Sequence, residues 1–133
     1  MSIVKELLQE KGMGVLSVDP DTSVYEALRI MAERNIGALV VLKKGEMVGI
    51  FSERDYARNS IQEDRNNAVI PVSDLMTPDV ITAGLELHLE DCLAIMTEKH
   101  IRHLPVVENG RLVGMITIGD VVRKIITELK KSR

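Results

Sequence analysis

Aromatic side chains are almost missing from this chain: Phe51, Tyr25 and Tyr56 are the whole set, 2% of 133 residues, and there is no tryptophan. Bases stacked in series, as single-strand nucleic-acid binders hold them, would have no platform. The core has to be built from Val, Ile, Leu and Met. Cysteine occurs once, at Cys92, so an intramolecular disulfide is excluded and a reducing compartment is expected. No apolar run approaches the ~20 residues needed to cross a bilayer. Met1 to Lys11 mixes charge with leucines and has no signal-peptide core. The protein is therefore read as soluble and cytoplasmic, with no membrane partner. Positive charge is not in excess either. A formal net charge of -3 argues against a global field for nucleic acid, while leaving room for a local basic pocket that takes one phosphate group. What the chain does have is hydrophobicity, 45% of its residues, enough for one compact domain or two small repeats around a shared core.

Two repeats are what the sequence contains. Displaced by 65 positions, Val15 to Arg58 lies on Val80 to Arg123 without a gap, and 13 of 44 positions are identical, among them Leu28/Leu93, Met31/Met96, Gly49/Gly114, Asp55/Asp120 and Arg58/Arg123. Each copy opens with an extended run, Val15 to Val18 or Val80 to Ala83. Apolar residues then recur at Val24, Ala27, Leu28 and Met31, and at Leu89, Cys92, Leu93 and Met96, the spacing of one buried helical stripe. Ser23 with Glu26 offers the first helix a capping box. Two β-rich runs follow in each copy, Leu39 to Leu42 with Met47 to Phe51, and Leu104 to Val107 with Leu112 to Ile116. Gly45 and Asn109-Gly110 mark the hairpin turns between them. A last helix is predicted from Ser52 and from Thr117. Neither copy could bury enough apolar area alone, so the two are expected to pack together and leave a cleft between related halves.

The polar stretch Gln62 to Asn67 reads as the linker. VSDLMT (Val72 to Thr77) matches VKELLQ (Val4 to Gln9), which predicts a short leading helix for each copy. The offset there is 68 rather than 65, placing a three-residue insertion around Gln9 to Gly14 and a different lead-in for copy one. Residues 1–65 are thus assigned to a lead helix and first repeat, and residues 66–133 to the second.

This order of elements, with GIFSERD (Gly49 to Asp55), GMITIGD (Gly114 to Asp120), IGALVV (Ile36 to Val41) and IRHLPVV (Ile101 to Val107), resembles the cystathionine-β-synthase-type (CBS) domain family, whose tandem pair is called a Bateman module. The resemblance runs from Val4 to Ile126. It implies an α/β (α+β) fold of tandem CBS repeats, each a short sheet packed with two helices and related by a pseudo-two-fold axis. It also implies a free-standing regulatory role without catalysis: binding AMP, ADP or ATP, or in some members NAD(H) or S-adenosylmethionine, and signalling by conformational change. A homodimer formed through helices and a separate effector protein are the partners implied. The competing reading is a structural dimerisation module that holds no ligand.

Ser52-x-x-Asp55 and Thr117-x-x-Asp120 are the residues on which ligand chemistry would rest. A carboxylate at such a place can accept from both hydroxyls of a ribose through charge-assisted bonds, and the neighbouring hydroxyl can reach sugar or phosphate. The same spacing also makes a plain capping box. By similarity to the family, the two pairs would hold ribose in two related pockets. Arg102 and His103 stand where the family often places phosphate contacts, whereas copy one has Gly37 and Ala38, so the pockets are expected to differ. The first pocket joins Thr117, Asp120, Arg102 and His103 to an apolar wall for the base from Val15, Ala38, Leu39 and Met115. The second joins Ser52 and Asp55 to Val80 and Leu104, with Arg54 as a substitute cation. Tyr56 either flanks a base or covers its helix, and Arg58 and Arg123 either pair with the preceding Asp or reach phosphate.

Other chemistries find little support. His88, His100 and His103 lack the spaced partners of a zinc site, so no metal is expected. Cys92 occupies the apolar stripe where copy one has Ala27 and reads as a packed thiol. Gly110, Gly114 and Gly119 read as turn or close-packing glycines rather than a phosphate loop, and no nucleophile is paired with a base.

Overall fold

In the computed structural model, which describes residues 2–62 and 69–131, the 65-residue repeat returns as a helix, a hairpin and a second helix in each copy. Helix α1 (Val4–Lys11) precedes strand β1 (Ser17–Val18), helix α2 (Val24–Arg34), strands β2 (Ala38–Lys43) and β3 (Glu46–Ser52), and helix α3 (Glu53–Gln62). A 3₁₀ turn at Val72–Asp74 leads to helix α4 (Leu89–Lys99), strands β4 (His103–Glu108) and β5 (Arg111–Thr117), and helix α5 (Ile118–Lys131). The mixed α/β architecture expected from the pattern is the one found. Of the linker expected at Gln62 to Asn67, residues 63–67 lie outside the described residues, as does the repeat boundary at 65 and 66.

Local chemistry sets these boundaries. The Ser23 hydroxyl accepts the Glu26 N–H at 3.0 Å and caps α2, as its spacing predicts, while the Glu26 carboxylate turns to Arg29 instead of closing the box. Asn35 and His100 end α2 and α4 in the left-handed region, with Ile36 and Ile101 donating back to Met31 and Met96, each at 3.0 Å. Both hairpins turn through two consecutive residues of positive φ, Lys44-Gly45 and Asn109-Gly110, a type I′ geometry that matches strand twist. Both hairpins also shift register at equivalent places, between Val41 and Leu42 and between Val106 and Val107.

Contacts gather the chain into two compact units, Met1–Val15 with Ile81–Arg133, and Leu16–Val80. The sequence repeats and the compact units are therefore different divisions of the chain, because each lead-in segment packs on the other copy. In the first unit, Val4, Leu7 and Leu8 of α1 are buried against Leu89, Cys92 and Met96 of α4 and Leu104, Val106 and Ile116 of the hairpin. Backbone bonds tie α1 there: Val4 N–H to Leu87 and Lys5 N–H to Leu85, both 2.9 Å. In the second unit, Val72 and Leu75 are buried with Val24, Ala27, Met31, Leu39, Val41 and Phe51.

The two lead-ins differ more than expected. Copy one has a full helix, α1, but the second leading helix shrinks to the 3₁₀ turn Val72–Asp74. Pro78 explains the difference: it forces the preceding residue, Thr77, out of the helical region. Thr77 instead forms a bridge with Ile50, donating and accepting at 2.8 and 3.0 Å. The opening strands are also shorter than predicted. Only Ser17 and Val18 pair with β2, and in the other copy a single bridge from Ala83 to Val106 remains.

Candidate functional site

In the unit that holds α5, the end of the β4–β5 hairpin collects the residues singled out in copy two. His103 and Thr117 are direct cross-strand partners, and the Ile118 N–H, opening α5, donates to the Arg102 carbonyl at 3.0 Å. Arg102, His103, Thr117 and Asp120 are thus brought together by one hairpin end and one helix start. Thr117 and Asp120 form a reciprocal cap: the Thr117 N–H donates to Asp120 Oδ2 at 3.0 Å, and the Asp120 N–H to Thr117 Oγ1 at 3.1 Å. Two cations complete the surroundings of the carboxylate. Lys11 Nζ lies 2.5 Å from Oδ2 and Arg123 Nη2 lies 2.9 Å from Oδ1. Burial raises the Asp120 pKa, but the Lys11 ammonium together with the Thr117 N–H and hydroxyl outweighs it and holds the carboxyl below its usual value. Beside this carboxylate opens a cavity of about 380 Å³ along α1 and α5, where Lys11, Arg123, Lys124 and Lys131 set a basic lining.

The other unit repeats the cap and changes everything around it. The Ser52 N–H donates to Asp55 Oδ2 at 2.9 Å, and the Asp55 N–H returns to Ser52 Oγ at 3.2 Å. Here the remaining donors are hydroxyls: Ser52 Oγ to Oδ2 and Thr77 Oγ1 to Oδ1, both at 3.0 Å. Asp55 is 7% exposed and its two oxygens already accept from these groups, whereas the Asp120 side chain keeps 14% of its surface. Ala38 pairs with Ser52 across the hairpin, Val80 falls in the same compact unit, and Arg54 is exposed on the first turn of α3.

Two residues expected in the apolar wall have their side chains in the cores. Leu39 and Leu104 are fully buried members of the two cores, because the period of two along a strand turns them inward. Their side chains offer no surface to a base. Met115 and Val15 are half-buried. Tyr56 packs on the core of its unit. Cys92 is fully buried, and desolvation, assisted by the charge of Asp91, pushes its thiol up to about 11, the behaviour of a packing group.

Two residues beside the carboxylates were not foreseen. Lys11 falls in the predicted insertion, whose three extra residues were the only hint. Thr77 closes a segment read as helical, and only the following proline signals that it is extended.

Comparison with known proteins places this geometry. The family model for the CBS domain matches residues 4–61 and again 72–127. The chain is 37% identical over 134 residues to the CBS domain-containing protein CBSX3, mitochondrial, of Arabidopsis thaliana, covering 94% of this chain and 65% of that protein. Among solved structures, the CBS domain NE2398 is 43% identical, with a TM-score of 0.90 over 94% of this chain and 98% of the other. Two further CBS structures carry ligands. CBSX2 was solved in complex with AMP (29% identity, TM-score 0.75, 96% and 98% covered). The CBS domain pair of MJ0100 was solved with 5′-methylthioadenosine and S-adenosyl-L-methionine (26%, 0.83, 96% and 98%). With both repeats matched and both hairpin–helix caps in place, the chain belongs to the CBS-domain family, as a tandem pair.

Proposed function

We propose that this CBS pair is a regulatory module rather than an enzyme, sensing an adenosyl nucleotide such as AMP, ADP, ATP or NAD(H) and passing the change of state to a separate effector. The observation that carries this reading is the state of Asp120. It is a partly exposed carboxylate at a helix start, flanked by Thr117, Arg102 and His103 and held by side chains free to swing away. Vicinal ribose hydroxyls are suited to such an acceptor, and the surrounding cations to a phosphate. The AMP and S-adenosylmethionine complexes of its structural relatives support the same ligand class. Asp55, enclosed by its own hydroxyl donors, makes the Ser52 site the weaker of the two. A ligand that prefers one conformation shifts the population toward it by its difference in affinity for the two states.

Thermal and urea unfolding with AMP, ATP, NAD(H) and S-adenosylmethionine tests the reading. At ~100 times its dissociation constant a bound ligand raises the unfolding free energy by ~2.7 kcal/mol, and Asp120→Ala reduces the effect sharply. No shift with any of the four refutes it. One observation favours the dimerisation reading alongside it: Ile126 and Leu129 of α5 are 47% and 63% exposed. We take this apolar strip as the contact of a homodimer. Sedimentation with and without nucleotide separates a pair that assembles regardless of ligand from one that responds to it.

A further inference from the structure

The two acidic sites solve the same local problem with different groups. In one unit, the extended Thr77 satisfies the Ile50 carbonyl with its backbone N–H and Asp55 with its hydroxyl. Met115 and Asp120 are the residues equivalent to Ile50 and Asp55 at the 65-residue offset. There, both bonds come from one ammonium: Lys11 Nζ donates to the Met115 carbonyl at 2.8 Å and to Asp120 at 2.5 Å. A fixed, neutral clasp in one copy is a movable, charged one in the other. Thr77 is held by a backbone bridge, whereas Lys11 reaches in from the last turn of α1 on a flexible four-carbon stem and stays 35% exposed.

We infer that Lys11 is the residue that sets ligand specificity at the Asp120 site, admitting adenosyl ligands that carry a phosphate and disfavouring those that are neutral or cationic. The inference rests on the ligand reading above. Ribose hydroxyls that bond Asp120 Oδ2 must displace the ammonium from it. An uncharged nucleoside leaves Lys11 without its anionic partner, and a charge-assisted bond is lost. A sulfonium ligand adds repulsion to that loss. A phosphate restores the anion, so Lys11 moves from carboxylate to ligand at little net cost. Arg123 keeps Oδ1 paired throughout, because it approaches from the other side of the carboxylate. Asp55 accepts from the Ser52 and Thr77 hydroxyls where Asp120 accepts from the ammonium.

Calorimetric titration of the full chain with AMP, adenosine, 5′-methylthioadenosine and S-adenosylmethionine tests this, alongside Lys11→Met, Lys11→Gln and Lys11→Arg. The wild type is expected to bind AMP about tenfold or more tightly than the other three, the size of one charged hydrogen bond. In Lys11→Met that preference falls below about threefold, and adenosine binds at least as tightly as before, since no ammonium has to leave Asp120 Oδ2. Lys11→Arg keeps the preference. Lys11→Gln, which retains a donor for the Met115 carbonyl, gives the same answer as Lys11→Met should the latter not fold. AMP preference unchanged in the uncharged variants overturns the inference and leaves the ligand reading standing. So does wild-type binding of adenosine or S-adenosylmethionine as tight as that of AMP. No binding by any of the four overturns both.

Discussion

Asp55 and Asp120 share a residue type, a helix position and a hydroxyl neighbour, yet their surroundings predict opposite responses to substitution. Asp55→Ala leaves the Ser52 N–H, the Ser52 hydroxyl and the Thr77 hydroxyl without their acceptor in a buried place. A loss of about 3 kcal/mol in urea unfolding is expected. Asp120→Ala leaves one part-buried donor, the Thr117 N–H, without its acceptor, while Lys11 and Arg123, 35% and 73% exposed, turn to water; a smaller cost of about 1–2 kcal/mol is expected, together with loss of ligand stabilisation. Asp120 also carries a pH signature. Its folded pKa lies below the unfolded value of about 3.9, so its contribution is complete above that pH and is lost as pH falls through the folded value. Asp120→Asn is expected to flatten the acid limb of a stability-against-pH curve. Cys92 shows the reverse sign. With the folded thiol near 11 and the unfolded one near ~8.5, the unfolded chain ionises first, and stability falls as pH rises between them. At pH 8 a thiol reagent should label Cys92 only when the chain unfolds.

Two close approaches decide how the lead-in segments sit within their units, and both were visible in the sequence only as a repeated glycine. A Cβ on Gly114 would lie 2.8 Å from Leu8 Cδ2, and one on Gly49 would lie 2.5 Å from Met76 Sδ. Gly114→Ala therefore forces α1 off the hairpin and is expected to cost about 1–3 kcal/mol. Gly49→Ala should cost at least as much, because its Cβ would meet not only Met76 but also the Thr77 carbonyl oxygen at 3.0 Å, backbone that the bridge to Ile50 holds in place. Differential scanning calorimetry of both variants checks the order. At this scale the sequence was widely legible. The helical stripes, the hairpin turns and the caps of α2 and α3 all follow from side-chain period and turn chemistry. The lead-ins were less so, because VSDLMT and VKELLQ carry the same apolar spacing, and only Pro78, lying beyond the match, stops one of them from becoming a helix.

For the molecule as a whole, the repeat makes two units on one plan, and the site chemistry makes them unequal. One unit carries a carboxylate held by cations beside a basic cavity of about 380 Å³, and the other carries a carboxylate closed by hydroxyls. Nucleotide is therefore expected to bind with a stoichiometry nearer one than two per chain, read by calorimetry. Replacing Ile126 and Leu129 by lysine should reduce the sedimentation coefficient to that of a monomer if α5 is the dimer contact, without shifting the nucleotide affinity of the Asp120 site by more than about threefold.

The sequence by itself determined the duplication, the α/β order of elements and the positions of Ser52, Asp55, Thr117 and Asp120. These depend on local period, capping and spacing, which a chain carries wherever it goes. The tertiary structure alone decided that α1 serves the second copy and that Leu39 and Leu104 belong to the cores. It alone showed that Lys11 reaches Asp120 across more than a hundred residues, while Thr77 closes on Asp55. Those facts depend on which segment packs beside which hairpin, and no pattern along the chain encodes that neighbourhood.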